Sequence, residues 1–332
     1  MMNVVHINTG AKPKVLVTRR WPGAVEAQLS ASYETTLNRS DTPLTPGELR
    51  DALKTFDAVL PTVTDSLGPD ALDVAKPTTK ILSNYGVGVS HICTESARKL
   101  GLSVTNTPDV LSECTADIAM TLMLMVARRA GEGERELRDG GWTGWRPTHL
   151  VGTKVSGKTL GIVGYGRIGE ELARRAHHGF GMDVVVYNRS TVAPERLARN
   201  GARQVESLDA LLPLCDFVSL HCPGGAENRH LINGRMLDLM REDAFLINTA
   251  RGEVIDEAAL AHALMFESIG GAALDVFECE PRINADLVQC DNLVMLPHLG
   301  SATREAREAM GYRVLDNLGD FFEGRDPRDR VI

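Results

Sequence analysis

The sequence predicts an α/β protein with parallel, doubly wound sheets, and three observations carry that expectation. From Thr159 onward, short apolar and β-branched runs alternate with helical patterns. The first of those runs leads into a glycine-rich turn with the spacing of a dinucleotide-binding turn. A smaller set of strands and helices precedes them, upstream of Thr107, and 332 residues suffice for two ordinary domains.

Composition narrows the function classes. With 43% hydrophobic and 24% charged residues the chain reads as a globular protein, and a net charge of −8 without a basic stripe argues against nucleic-acid binding. The six cysteines, at 93, 114, 215, 222, 279 and 290, show no C-x-x-C pair and no zinc-ligand spacing, so no metal site is expected and the thiols read as reduced. The segment Met1 to Arg20 has only the short apolar run Val4 to Ile7, and the longest apolar stretch, Ile118 to Ala127, is about half a membrane span. Neither secretion nor membrane insertion is expected, and a cytoplasmic location follows as the default.

Taken in order, Lys14 to Thr18 reads as a strand, Thr45 to Thr55 as a helix and Ala58 to Val63 as a second strand. Thr79 to Ser83 and Leu102 to Thr105 are further strands, with a helix at Thr94 to Leu100 between them. Asn84-Tyr85-Gly86-Val87-Gly88 leaves the third strand with two glycines. It is read from its own residues as an ordinary strand-to-helix turn. Ser112 to Arg129 is a long, largely apolar helix, and a charged helix continues to Arg138. The loop Gly140 to Trp145 carries two of the three tryptophans, either as a local packing lid or as an anchor on a partner subunit.

The second set begins with the strand Leu160 to Val163, the helix Ile168 to His178 and the strand Asp183 to Tyr187. A segment around Pro194 to Asn200, the run Ala202 to Val205, a helix Ser207 to Leu214 and the strand Phe217 to His221 follow. A helix at Gly234 to Met240, then Ala244 to Asn248, the helix Glu257 to Phe266, Gly270 to Phe277 and Leu293 to Leu296 complete it. Such alternation predicts right-handed crossovers and ligand binding at the carboxyl edge of the sheet.

Gly164-Tyr165-Gly166-Arg167-Ile168-Gly169 supplies the dinucleotide turn. Gly164 permits the tight turn, Gly166 lets the backbone approach a pyrophosphate, and Gly169 lets the helix lie close to the strand. Nineteen residues beyond Gly169, where a ribose-binding carboxylate commonly ends the second strand, stands neutral Asn188, followed by Arg189 and Ser190. A carboxylate there would repel a 2′-phosphate; this set offers a grip on one, so NADP(H) is favoured, with NAD(H) also accepted. Three further residues follow predicted strands: Arg251 in Asn-Thr-Ala-Arg-Gly, Glu280 in Leu-Asp-Val-Phe-Glu-Cys-Glu-Pro, and His298 in Leu-Pro-His-Leu-Gly-Ser-Ala-Thr.

At these motifs, and at Asn-Tyr-Gly-Val-Gly and His221-Cys222-Pro223, the sequence resembles the D-isomer-specific 2-hydroxyacid dehydrogenases over nearly its whole length, most of all their glyoxylate/hydroxypyruvate reductase branch. The resemblance implies two Rossmann-like, doubly wound domains. Residues 1–108 and 297–332 would form a discontinuous substrate domain, with an NAD(P)-binding domain, 109–296, inserted into it and the active site in the cleft. It implies reduction of a small 2-oxoacid to the D-2-hydroxyacid by hydride transfer from NADPH or NADH. Arg251 would bind the substrate carboxylate or polarise its carbonyl, and His298 would donate the proton. Glu280 would stabilise the imidazolium, since opposite charges ~4 Å apart at an effective dielectric of ~20 attract by about 4 kcal/mol.

By the same resemblance Val87 and Gly88 hold the substrate carboxylate through backbone N–H groups, and Ser301 joins the substrate set. Thr115, Cys222, Pro223, Thr249, Ala250, Asp275 and Gly300 join the cofactor set. Ser112 to Arg129 and Trp142 match the family's dimer region, so a homodimer is expected, with Trp142 visiting the other subunit's cleft; Thr62, Val63 and Trp142 would bear on pocket size. Two departures stand out: Gly224-Gly225-Ala226 replaces Leu-Thr-Pro, which bears on Asn228, and Val89-Ser90-His91 replaces a Tyr/Phe-Asp/Asn pair. The rival from another class is a dinucleotide-sensing, corepressor-like regulator; such relatives usually carry extra tails, and this chain is expected to end soon after the fold closes.

Overall fold

The computed structural model describes residues 12–332; the apolar run at 4–7 lies outside the described residues. Two compact units emerge, one of the residues up to Leu111 with Thr303–Ile332, the other Ser112–Ala302. The chain passes between them at 111/112 and 302/303, where the family resemblance implies 108/109 and 296/297.

The first unit opens with strand β1 (Lys14–Val17), helix α1 (Gly23–Ser32) and strand β2 (Glu34–Leu37). Helix α2 (Pro46–Thr55), β3 (Ala58–Leu60), β4 (Ile81–Ser83), α3 (Thr94–Lys99) and β5 (Ser103–Thr105) follow. All five strands pair in parallel, in the order β2-β1-β3-β4-β5. Strand β3 stops before Pro61, whose ring removes the next ladder donor. The start of α2 is set by a full capping box, Thr45 with Glu48, and by Pro46 in its first turn. Leu49, Leu53, Val59, Leu82 and Val104 make its core.

The segment after Ala302 is no loose tail. It forms α12 (Arg304–Phe322; the intervening helices are given below), capped by the Thr303 hydroxyl. Gly311 brings α12 against α1, since a Cβ there would fall 2.5 Å from Val25 Cγ1. Buried Asn317 then donates to the Asn106 carbonyl at 3.2 Å and to Asp329 at 3.0 Å. The last residues pair with β5, the Val331 N–H donating to the Val104 carbonyl at 2.7 Å.

The second unit begins with α4 (Ser112–Ala127) and α5 (Ala130–Arg138), broken at Arg129, whose φ of 51° is left-handed. Then come β6 (Thr159–Val163), α6 (Arg167–Phe180), β7 (Asp183–Tyr187), α7 (Pro194–Ala198) and β8 (Ala202–Val205). Helix α8 (Leu208–Leu211) tightens into a 3-10 turn at Pro213 and leads to β9 (Phe217–Leu220). After α9 (Gly234–Leu237) come β10 (Phe245–Asn248), α10 (Glu257–Met265), β11 (Gly271–Leu274), α11 (Ala285–Val288) and β12 (Leu293–Met295). The seven strands are parallel in the order β12-β11-β10-β9-β6-β7-β8, which places the doubly wound switch point between β6 and β9. Alternate residues of β6 and β7 face opposite cores. Ile162, Val184 and Val186 pack toward α4 and α6, and Val163 and Val185 toward α8 to α10.

The two units are thus both parallel α/β sheets, as the alternation predicts. Three elements, α1, β2 and α11, and the helical nature of 304–322 lie outside what the sequence patterns indicated. Among the described residues no helix is long and apolar enough to cross a membrane.

Candidate active site

In the second unit, the carboxyl ends of β6, β7, β9, β10, β11 and β12 carry nearly every residue singled out from the motifs. Gly164 leaves β6 with φ 95°, and a Cβ on it would fall 2.7 Å from the Cys222 nitrogen. The turn is therefore wedged against His221-Cys222-Pro223 at the end of β9. At Gly169 a Cβ would strike the Gly164 carbonyl at 2.4 Å, so this glycine sets the closeness of helix and strand. Gly166 differs: no atom lies within 4 Å of its Cβ position. It is the N-cap of α6 with no side-chain cap, so the helix start presents first-turn N–H groups, those of Ile168 and Gly169 among them, to an anion. These features, with the buried hydroxyl of Thr249 lacking a partner, fit a bound dinucleotide.

At the end of β7, the Asn188 side-chain oxygen accepts the Tyr165 N–H at 3.2 Å, and its amide donates to the Ser190 carbonyl and hydroxyl, both at 3.0 Å. Arg189 is paired with Glu227. Burial pushes the Cys222 thiol up to about 11, so it is no nucleophile at neutral pH. Burial likewise pushes His221 down to about 3; the neutral ring meets the Ser219 hydroxyl at 2.9 Å through Nε2.

Beyond β10, the Asn248 side chain shapes the turn: its Oδ1 accepts from Ala250 N at 2.9 Å and its Nδ2 donates to the Arg251 carbonyl at 2.9 Å. Gly252 then touches the neighbouring loop so closely that a Cβ would fall 1.9 Å from the Phe277 carbonyl carbon. Glycine at this position brings the Arg251 and Glu280 loops together. Burial pulls the Arg251 pKa below its ordinary value, opposed by the charges of Glu280 and Glu253. An arginine starts so far above neutrality that it stays cationic.

Asp275, buried at the end of β11, accepts Leu299 N at 2.6 Å and Gly300 N at 2.8 Å. Its carbonyl takes the His298 N–H at 2.9 Å, so the residue assigned to the cofactor set also builds the turn that carries His298. Thr115 on α4 closes the same turn through the Gly300 carbonyl at 3.1 Å, and Ser301 follows in it. His298 itself has φ 56°, an uncommon conformation for a non-glycine residue, and this framework maintains it. His298 Nδ1 meets Glu280 Oε2 at 2.9 Å, while Glu280 Oε1 accepts Phe277 N at 3.0 Å. Burial would raise the Glu280 carboxyl, but the His298 hydrogen bond and charge, the Phe277 N–H and Arg251 outweigh it and hold it below its ordinary range. A charged Glu280 fixes the proton on Nδ1 and leaves Nε2 to face a reacting oxygen.

Three acidic residues missed in the sequence complete this edge. Glu253 accepts Gly225 N at 2.5 Å, and a Cβ at Gly224 would fall 2.4 Å from its Oε1 and 2.9 Å from Arg251 Cγ. Glycine at 224 lets the Glu253 carboxylate and the Arg251 side chain lie against this loop. Asn228 is turned into its own loop, donating to the Pro223 carbonyl at 2.8 Å. Glu257, held above its ordinary pKa by burial, accepts Glu278 N at 2.7 Å, and Glu278 meets His230 Nε2 and Arg229, each at 2.7 Å, bracing the Glu280 loop. None of these contacts has a sequence signal without the sheet order.

In the first unit, Asn84 donates to the Gly86 carbonyl at 2.9 Å and the Gly88 carbonyl at 3.1 Å, and Asn106 to the Val87 carbonyl at 2.8 Å. His91 Nε2 meets the Asn84 oxygen at 3.0 Å, so the departure at 89–91 retains a polar clamp on this loop. With the carbonyl sides held, the N–H sides of Val87 and Gly88 are those that can meet an anion.

A glycine-turn dinucleotide unit with arginine, glutamate and histidine on its carboxyl edge defines a nicotinamide-dependent dehydrogenase. The sequence profile of the D-isomer specific 2-hydroxyacid dehydrogenase NAD binding domain matches residues 120–300. Glyoxylate reductase of Thermococcus litoralis is 44% identical over 324 residues, 96% of this chain and 97% of that protein. Glycerate dehydrogenase of Hyphomicrobium methylovorum is 36% identical over 95% of this chain and 98% of that protein. Among solved structures, the NADPH-dependent glyoxylate/hydroxypyruvate reductase of Sinorhizobium meliloti, in complex with NADP and malonate, superposes with a TM-score of 0.85 at 31% identity, covering 97% of each chain. The chain belongs to the D-isomer specific 2-hydroxyacid dehydrogenase family.

Proposed function

We propose that the protein reduces small 2-oxoacids of the glyoxylate and hydroxypyruvate class to D-2-hydroxyacids, with NADPH preferred to NADH. The observation that carries this reading is the Glu280–His298 pair at 2.9 Å, on the same sheet edge as Arg251 and the open glycine turn. When bound, the nicotinamide supplies the hydride to the carbonyl carbon. Arg251 binds the carboxylate or polarises the carbonyl, for which a fixed cationic fork suits a planar anion. Val87 and Gly88 offer N–H groups to the carboxylate, and Ser301 completes the set. His298 passes its Nε2 proton to the carbonyl oxygen and is reloaded from solvent, while its Nδ1–H stays donated to the Glu280 carboxylate.

Gly164, Gly166, Arg167, Ile168 and Gly169 serve the pyrophosphate. Thr115, Cys222, Pro223, Thr249, Ala250, Asp275 and Gly300 line the rest of the dinucleotide, and Asn188, Arg189 and Ser190 meet the 2′-phosphate. Support for the phosphate comes from a neutral amide at the end of β7 and from the Sinorhizobium relative, named as NADPH-dependent. Asn188→Asp should lower the NADPH-to-NADH ratio of kcat/KM by about tenfold or more, because a carboxylate would face the phosphate; an unchanged ratio would count against this assignment.

The assembly belongs to the same reading. Trp142, Trp145, Leu137 and Val151 are 51%, 83%, 61% and 66% exposed, four large apolar side chains within one stretch of sequence that suits a homodimer contact. We place the enzyme in the cytoplasm. The test of the function is NADPH and NADH oxidation with glyoxylate, hydroxypyruvate, pyruvate and phenylpyruvate, the first two being turned over most efficiently. Cofactor binding without turnover of any 2-oxoacid would contradict it.

A further inference from the structure

Strand β6 lies between β7 and β9, so the segments leaving β7 and β9 flank the glycine turn on its two sides. Arg189 leaves β7, and Glu227 sits on the 3-10 turn Ala226–Asn228 that follows β9. Their side chains form an ion pair. Two strand spacings, roughly 10 Å, separate the strands that carry them, so the pair arches over the carboxyl end of β6. The ion pair itself draws the guanidinium toward the β9 side of its own strand.

Both ends of this bridge are anchored. Gly225 N donates to Glu253 Oε1 at 2.5 Å, Asn228 N to the Gly225 carbonyl at 3.0 Å, and the buried Asn228 amide to the Pro223 carbonyl at 2.8 Å. Gly224 makes room for Glu253, and Gly225 takes φ 104°. On the other side Asn188 ties Tyr165 to Ser190. The cation that would meet a 2′-phosphate is thus already neutralised by a carboxylate on a braced turn.

We propose that Glu227 is a specificity-determining residue, a counter-ion that holds Arg189 across the mouth of the dinucleotide site and must be displaced by a 2′-phosphate. A phosphate carries more charge and more acceptor oxygens than a carboxylate, so it takes the guanidinium. Glu227 then stays beside the phosphate and repels it. A dinucleotide without the phosphate binds with the bridge intact and is indifferent to Glu227. The device tempers the NADP preference given by Asn188, Arg189 and Ser190, and it rests on the reading of those residues as the 2′-phosphate site.

The test is equilibrium binding of NADPH, NADH and the fragment 2′,5′-ADP to the whole protein, followed by nicotinamide fluorescence and by competition, for wild type, Glu227→Gln, Arg189→Gln and the double variant. Glu227→Gln should tighten NADPH and 2′,5′-ADP by about three- to fivefold, the size of one exposed charge interaction, leave NADH unchanged, and lose its effect in the Arg189→Gln background. Equal effects of Glu227→Gln on NADPH and NADH, or none on either, would overturn the proposal. If Arg189→Gln still lowers the NADPH-to-NADH affinity ratio, the 2′-phosphate assignment survives that failure. If Arg189→Gln leaves the ratio unchanged, the assignment itself falls, and the proposal with it.

Discussion

Replacing His298 by asparagine should lower kcat for 2-oxoacid reduction by about 10²–10⁴-fold, the usual weight of one positioned proton donor, while the affinity for NADPH stays within about twofold of wild type. The split follows from the geometry. His298 reaches the reaction through Nε2, its Nδ1 being engaged with Glu280 at 2.9 Å. The glycine turn and the first turn of α6 stand at the end of another strand and keep their own supports. Asparagine is also at ease in the left-handed conformation that residue 298 adopts, so the Asp275 scaffold tolerates it. Steady-state kinetics with a separate cofactor titration reads both quantities. Undiminished kcat would remove His298 as the acid.

Arg251→Gln is the second large effect: kcat/KM for the 2-oxoacid should fall by about 10²–10⁴-fold, because two charge-assisted hydrogen bonds are each worth roughly 1.5–3 kcal/mol. Lysine should restore little of it, since a point charge on a flexible stem cannot present the planar fork. The local frame survives the change. Arg251→Gln removes the guanidinium's own bond to the Ala250 carbonyl, at 2.7 Å, but the two Asn248 side-chain bonds to residues 250 and 251 remain, and Gly252 fixes the approach to Phe277 whatever side chain precedes it. Stopped-flow measurement of substrate saturation distinguishes a binding loss from a chemical one; a variant with wild-type kcat/KM would exclude Arg251 from the site.

Much of this was legible in the amino-acid order because single residues had single steric jobs. Gly164 and Gly169 are forced by neighbouring backbone, while Gly166 leaves open the space a pyrophosphate would take, so their spacing alone predicts the turn. The central strands of the second unit, such as β7, β9 and β10, were legible as apolar, β-branched runs because they are buried on both faces. Elements that lack that property escaped. Strand β2 is an edge strand of sequence Glu-Thr-Thr-Leu with alternate residues exposed, and α1 buries only Val25 and Leu29 behind an uncapped start. Helix α12 hides its pattern because a glycine and an asparagine, Gly311 and Asn317, occupy two of its buried positions.

The site divides along the same line. Arg251, Glu280 and His298 follow strands and could be placed on one edge from sequence. Glu227, Glu253, Glu257 and Glu278 act through partners 21 to 49 residues away, and only the strand order brings those together. The contact of Gly224 with the Glu253 and Arg251 side chains is likewise visible only in the folded chain.

The central claim is that this edge delivers hydride and proton to a 2-oxoacid with D configuration in the product. Chiral analysis of the glycerate formed from hydroxypyruvate and NADPH tests it most directly. The account predicts D-glycerate, with NADPH consumed in equal amount; L-glycerate, a racemate, or no glycerate at all would contradict it.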